Sequence, residues 1–144
     1  NTKFLGSMAS SFGRGTPLYI PPERFNGEPY DERTDVWSLG ITLVEIVYGD
    51  IYNLYNIKEF QNDEFKVMNT IKKANGDEIM SRCFSESYSP DLCDFVKSCL
   101  NELDSRPKYQ ELMETGLYKS FVAKDYNINA MEMFMKLYSV IRFI

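Results

Sequence analysis

Apolar side chains are densest between Val36 and Tyr48. There Val36, Trp37, Leu39, Ile41, Leu43, Val44, Ile46, Val47 and Tyr48 leave no clear polar face. A helix that is apolar nearly all round is a buried helix. Its ends carry stop and start residues. The Thr34 hydroxyl is suited to accept an orphan backbone N–H of the first turn. Asp35 sits where the positive end of the helix dipole favours a carboxylate. Gly49 takes a left-handed C-terminal position more readily than other residues. The pattern predicts one buried central helix over about 34–48. At about 1.5 Å per residue it spans roughly 22 Å, enough to cross a small domain. Gly40 lies in its middle, where glycine costs about 1 kcal/mol relative to alanine. It reads as a close-packing glycine, and Asp35 as a cap acid.

Other segments punctuate themselves with turn residues. Residues 1–14 are small, polar and glycine-broken, a surface loop. Pro17, Pro21 and Pro22 make the Gly15–Phe25 stretch a set of turns, since proline fixes φ and removes an N–H. Asn26 to Arg33 is polar and predicted as loop. Asp50 to Asn62 reads as loop with a short helical turn. Phe65, Val67, Met68 and Ile71 recur at helical spacing and predict a helix over Asp63–Ala74, ending near Gly76. Glu78 to Ser89 is predicted as loop. Ser89 as N-cap and Pro90 at the first position open a helix with Leu92, Phe95, Val96, Cys99 and Leu100 inward. A turn follows at Asp104–Pro107, then a helix over Lys108–Thr115. From Leu117 to Ile144, Ile128, Met131, Met133, Phe134, Leu137, Tyr138, Ile141 and Phe143 predict a helix with a broad apolar face. The fold class is mainly α.

The totals narrow the function classes. With 144 residues, 44% of them hydrophobic, the chain is the size of one ordinary domain and can bury a core. The net charge of −5 is spread over mixed signs, which argues against nucleic acid or an anionic membrane as main partner. No run approaches a membrane span; Glu132, Lys136 and Arg142 interrupt the apolar stretch from Met131. The first residues do not read as a secretory leader. Cys83, Cys93 and Cys99 are odd in number and lack C-x-x-C spacing, so they read as reduced thiols of an intracellular protein. Histidine is absent, which removes His-based metal sites and Ser–His or Cys–His triads. Asn rather than Met at position 1 leads us to expect a fragment.

Three motifs stand in order around the central helix. Upstream is G-T-P-L-Y-I-P-P-E-R-F, Gly15 to Phe25. D-V-W-S-L-G, Asp35 to Gly40, opens the helix itself. Downstream is D-S-R-P-K-Y, Asp104 to Tyr109. Together they resemble the C-terminal lobe of a eukaryotic protein kinase. Within that family the chain is similar to the MAP kinase kinases, from inside the activation segment onward. The resemblance implies a helical C-terminal lobe of the protein-kinase-like fold. It divides the chain into an activation segment and substrate-binding loop (1–25), a helical lobe (26–116) and a C-terminal helical extension (117–144).

The resemblance also assigns roles. Ser7-Met8-Ala9-Ser10-Ser11-Phe12 looks like an activation segment whose two regulatory phosphorylation sites fall on Ser7 and Ser11. Each phosphate would add about −1.5 to −2 charge and several strong acceptors. Thr16 looks like the threonine whose hydroxyl meets a catalytic aspartate, and Tyr19 like a tyrosine that packs toward the central helix. Pro21 departs from the usual Ala or Ser. Glu23 and Arg106 are expected partners, because guanidinium and carboxylate can pair through two parallel hydrogen bonds. Asp35, Trp37 and Gly40 support the site. The Asp63–Ala74 helix would stand outward beside the substrate site. The extension looks like the segment on which an upstream MAP kinase kinase kinase docks; an alternative is that its apolar face packs back on its own lobe.

The implied parent activity is transfer of phosphate from ATP, with Mg2+, to a threonine and a tyrosine of a MAP kinase activation loop, in a cytoplasmic signalling cascade. That chemistry needs a glycine-rich loop, a phosphate-binding lysine, the aspartate of H-R-D-x-x-x-x-N and the metal-binding aspartate of D-F-G. None occurs in these 144 residues. The chain alone is therefore expected to bind no ATP or metal and to catalyse nothing. The competing reading is a truncated kinase lobe that acts as a binding module or scaffold.

Overall fold

A computed structural model describes residues 17–28 and 31–123. Among them the regular elements are helices and 3-10 turns. The 3-10 turns Pro17–Tyr19 and Pro22–Asn26 come first. Helix α1, Glu32–Tyr48, follows, then α2 (Ile51–Leu54), a 3-10 turn at Lys58–Phe60, α3 (Glu64–Lys72), α4 (Gly76–Cys83) and α5 (Pro90–Cys99). A 3-10 turn at Leu103–Ser105 leads to α6 (Tyr109–Leu112) and α7 (Gly116–Val122). The kinase-like helical lobe expected from the sequence is the observed class.

Helix α1 is the hub. It packs against α2, α4, α5, α6 and the Pro17–Tyr19 turn. Val36, Trp37, Gly40, Ile41 and Val44 recur at three- to four-residue spacing and are buried. Gly40 lets α5 approach closely: a Cβ built there would lie 2.8 Å from the Cys99 Cβ and 2.8 Å from the Leu100 Cδ2. Gly49 closes the helix at φ 93°, as expected of a glycine C-cap.

Two expectations about α1 are corrected. It begins at Glu32, and its N-cap is Asp31 rather than Thr34. The Asp31 carboxylate accepts the Arg33 N–H at 2.8 Å, while the Thr34 N–H is already bonded to the Asp31 carbonyl at 3.0 Å. Thr34 is thus inside the first turn and buried. Nor is the helix buried all round. Leu39, Ile46 and Tyr48 are 40%, 50% and 39% exposed, because the elements that pack on α1 meet the opposite side. Asp31→Ala should cost about 1 kcal/mol, the usual value of an N-cap. Urea unfolding followed by the fluorescence of Trp37, the chain's one tryptophan, measures it.

The remaining helices follow their caps. Asp63 caps α3 by accepting the Lys66 N–H at 3.1 Å, and Val67 and Ile71 face inward. Phe65, expected on that face, is 76% exposed, since it sits half a turn away from Val67. Gly76 does not end a helix; it starts α4, which runs into the Glu78–Ser89 stretch predicted as loop. Asn75 caps α4 with bonds from the Asp77 N–H (2.9 Å) and the Glu78 N–H (3.2 Å), and Ile79 and Cys83 are its buried pair. Ser89 caps α5, accepting the Leu92 N–H at 3.2 Å, and every residue expected inward is buried. The Lys108–Thr115 helix is shorter than expected: its regular turn is Tyr109–Leu112, and hydrogen-bonded turns continue it to Thr115. In the extension, α7 packs on α5 with Leu117 buried. The apolar residues from Ile128 to Phe143 lie outside the described residues.

Candidate functional site

The Leu18–Phe25 stretch lies against one end of the core, and side chains from three places hold it. Two prolines leave it short of backbone donors, so its carbonyls need partners from elsewhere. The Ser38 hydroxyl, on α1, donates to the Tyr19 carbonyl at 2.8 Å and to the Thr34 carbonyl at 3.2 Å. The Tyr55 hydroxyl, just after α2, donates to the Leu18 carbonyl at 2.8 Å. The Tyr19 hydroxyl donates to the Glu45 carboxylate, on the same helix as Ser38 but two turns further along.

The C-terminal end of the stretch is clamped by a buried ion pair. The Arg106 Nη1 and Nη2 donate to the Glu23 Oε1 and Oε2 at 2.5 and 3.1 Å. The arginine side chain is 1% exposed and the glutamate 15%. Arg106 also donates to the Arg33 carbonyl from Nη1 and to the Asn101 carbonyl from Nε, each at 3.0 Å. Its guanidinium lies 5.0 Å from the Trp37 ring centroid, within cation–π range. The expected pairing of Glu23 with Arg106 is therefore present, in the two-pronged geometry that suits this ion pair. A second arginine, Arg33, pairs with Asp31 at 2.7 Å and reaches the Leu103 carbonyl at 3.0 Å. That contact ties the start of α1 to the turn before Arg106. Asp35, exposed in the first turn of α1, accepts from the Tyr109 hydroxyl at 2.9 Å.

The match to the protein kinase domain covers residues 4–117. The chain belongs to the protein kinase family. Its relatives within that family include a dual specificity mitogen-activated protein kinase kinase, mek-1, of Caenorhabditis elegans, 37% identical over 116 residues. That alignment covers 78% of this chain and 30% of the relative. The protein of the same description named sek-1, also from Caenorhabditis elegans, is 38% identical over 111 residues, 74% of this chain and 31% of its own length. Dual specificity mitogen-activated protein kinase kinase 7 of Homo sapiens is 32% identical over 125 residues, 83% of this chain and 28% of its own. The chain thus spans about a third of the length of the curated relatives it matches. Its sequence is MAP kinase kinase-like.

Of the residues singled out in the sequence, Glu23, Arg106 and Trp37 meet at the end of the proline-rich stretch, and Tyr19 is tied within it to Glu45. Gly40 instead faces Cys99 and Leu100 of α5, and Asp35 bonds Tyr109. Ser7, Ser11 and Thr16 lie outside the described residues. Three partners of the stretch were not foreseen. Ser38 stood inside the D-V-W-S-L-G motif without a role. Glu45 carried a signal, as the lone acid inside the apolar run of α1. Tyr55 carried none, since its partner is a backbone carbonyl 37 positions away. Protein kinases use ATP and Mg2+, but among the described residues no grouping of His, Cys, Asp or Glu could hold a metal ion. Neither the glycine-rich loop nor the lysine that would hold nucleotide occurs in the sequence. The residues present do not fit that cofactor.

The titrating groups here favour the uncharged state. The hydrogen bond to Glu45, then burial and the same carboxylate's charge, push the Tyr19 phenol up to about 12 from 10.0. Burial raises Tyr55 as well, against a smaller opposing effect of Trp37. Between those two values the unfolded chain has released the Tyr19 proton while the folded chain keeps it. Its stabilising effect is full below pH 10 and is lost as pH rises toward 12. In urea unfolding at stepped pH, Tyr19→Phe should lose less stability than the parent across that window. Equal slopes would remove Tyr19 from the account.

Proposed function

We propose that this chain is the substrate-positioning and regulatory part of a dual-specificity MAP kinase kinase. The whole enzyme would use ATP and Mg2+ to phosphorylate a threonine and a tyrosine in a MAP kinase activation loop. The observation that carries the reading is the fixation of the Leu18–Glu23 stretch in a kinase-family chain, at its carbonyls by Tyr55 and Ser38 and at Glu23 by Arg106. A segment meant to receive an extended substrate must keep its shape before the substrate arrives, because positioning supplies much of the catalysis in phosphoryl transfer. In this reading Thr16 and Tyr19 position substrate, and Ser7 and Ser11 are phosphorylated by an upstream MAP kinase kinase kinase that docks on 117–144. The setting is cytoplasmic, with no nucleic acid or membrane partner.

Catalysis then depends on residues this chain does not contain. Purified alone and given radiolabelled ATP and a MAP kinase, it should transfer no phosphate above a no-enzyme blank; transfer would overturn this division of labour. The transcript upstream of the codon for Asn1 should encode the lysine, the H-R-D loop and D-F-G in frame. The protein made from it should phosphorylate both residue types and weaken when Ser7 and Ser11 become alanine.

A second reading is a kinase lobe that binds partners without chemistry. Mg-ATP separates the two. A complete site in the longer protein would be stabilised by mass action, raising Tm with nucleotide concentration. A scaffold would show no such rise and no transfer.

A further inference from the structure

Helix α7 buries Leu117, packs on α5, and leaves Tyr118 and Val122 40% and 42% exposed. These two stand one turn apart on the same side of the helix, since residues four apart are neighbours on its surface. Val122 is the last residue of α7, and the described residues end at Ala123. An apolar stripe at that point is a surface for the segment that follows, because consecutive elements usually pack side by side. The following segment has the matching pattern. Met131, Phe134, Tyr138 and Ile141 recur at i, i+3, i+7 and i+10. Asn129, Glu132, Lys136 and Ser139 repeat those intervals two positions earlier, about 200° away round a helix. Lys124-Asp125-Tyr126-Asn127 separates this pattern from α7, within the about 2–5 residues that join antiparallel helices.

We infer that residues 128–141 fold back on α7 as the second helix of an antiparallel pair, with their apolar side on Tyr118 and Val122. Counted outward from the turn, Ile128 and Met131 come level with Val122, and Phe134 with Tyr118. Tyr138 comes level with Met113, which is 41% exposed in the hydrogen-bonded turns before α7. The side that carries Asn129, Glu132, Lys136 and Ser139 stays in water, as an amphipathic surface helix requires. The exposed stripe of α7 is thus an interaction surface whose occupant is this chain's own C-terminal segment. An upstream kinase that docks on 117–144 then meets the polar side of the segment and not its apolar stripe. Only that consequence rests on the function proposed above.

The test uses the 144-residue chain, its Tyr118→Ser/Val122→Ser variant, and Phe65→Ser as a control. Phe65 is 76% exposed on α3. Amide hydrogen exchange is read from Met131 to Tyr138, with Val96 and Cys99 in α5 as core reporters. In the parent chain these amides should exchange at least about tenfold more slowly than in a free peptide of residues 124–144. Tyr118→Ser/Val122→Ser should return them to the peptide rate with α5 unchanged, and Phe65→Ser should alter nothing. A second measurement holds even if the serine variant unfolds. In Val122→Cys/Met131→Cys, mild oxidation should close a disulfide within one chain, since facing positions of paired helices bring the two sulfurs into reach. Phe65→Cys/Met131→Cys should not close. Parent amides that exchange at the peptide rate overturn the inference. So does protection that survives Tyr118→Ser/Val122→Ser, which puts the segment elsewhere on the lobe. Protection lost on dilution, or a disulfide between chains, overturns it in favour of a second copy. None of these outcomes touches the kinase reading, which phosphate transfer by the longer protein tests separately.

Discussion

The Arg106→Ala chain should unfold far below the wild-type urea midpoint, with a loss of about 3–5 kcal/mol. Arg106 is buried, and five acceptor contacts or faces converge on it: both Glu23 oxygens, the Arg33 and Asn101 carbonyls, and the Trp37 ring. Truncation leaves the Glu23 carboxylate, 15% exposed, without its counter-charge, and takes a donor from the Arg33 and Asn101 carbonyls. That desolvation cost, more than the worth of the pair itself, sets the magnitude. Domains of this size hold about 5–15 kcal/mol in total, so the loss removes a large share of the stability. Arg106→Lys keeps the charge but loses the planar fork and should fall between wild type and alanine. A loss under about 1 kcal/mol for Arg106→Ala would mean that the clamp does not hold the fold.

The same arginine shows what could be read from the chain. Arg106 and Glu23 stand 83 positions apart, and neither periodicity nor spacing joins them; only their places in two motifs did. The α5 helix was legible outright, because Ser89, Pro90 and five inward residues all agree with one helical face. The α4 helix was not read, although its cues are local: Asn75 as cap, Asp77 and Glu78 in the first turn, Ile79 and Cys83 one turn apart. Two buried residues are a thin signal beside a glycine that invites a loop assignment. The start of α1 was misplaced by three residues, because Thr34 and Asp31 are each good caps and the choice rests on the Asp31–Arg33 contact. The exposed side of α1 could not be foreseen from its composition: apolar residues cover that face too, and which side packs is decided by neighbours. For the site, the motif residues were found and the holders of backbone carbonyls, Ser38 and Tyr55, were not, since a carbonyl leaves no mark in the sequence.

Gly76→Ala should give the second large effect, about 3 kcal/mol of destabilisation, and its sign runs against helix propensity. Gly76 is the first residue of α4, where alanine would ordinarily gain close to 1 kcal/mol. An alanine Cβ there would stand 2.1 Å from the Leu100 carbonyl oxygen and 2.9 Å from its carbon. Those are backbone atoms at the C-cap of α5, so no rotamer change relieves the contact; α4 and α5 must separate. Overpacking of this kind typically costs 1–3 kcal/mol, and a backbone partner puts it at the upper end. Gly40→Ala is the useful comparison. Its Cβ would meet the Cys99 Cβ at 2.8 Å, which cannot turn away, and the Leu100 Cδ2 at 2.8 Å, which can. Gly27→Ala meets nothing within 4 Å and bears only the strain of φ +82°, about 1 kcal/mol. The expected order of loss in urea unfolding is therefore Gly76, then Gly40, then Gly27. If Gly76→Ala proved neutral, the ends of α4 and α5 could not be packed as closely as described, and α4 would lose its place against the hub.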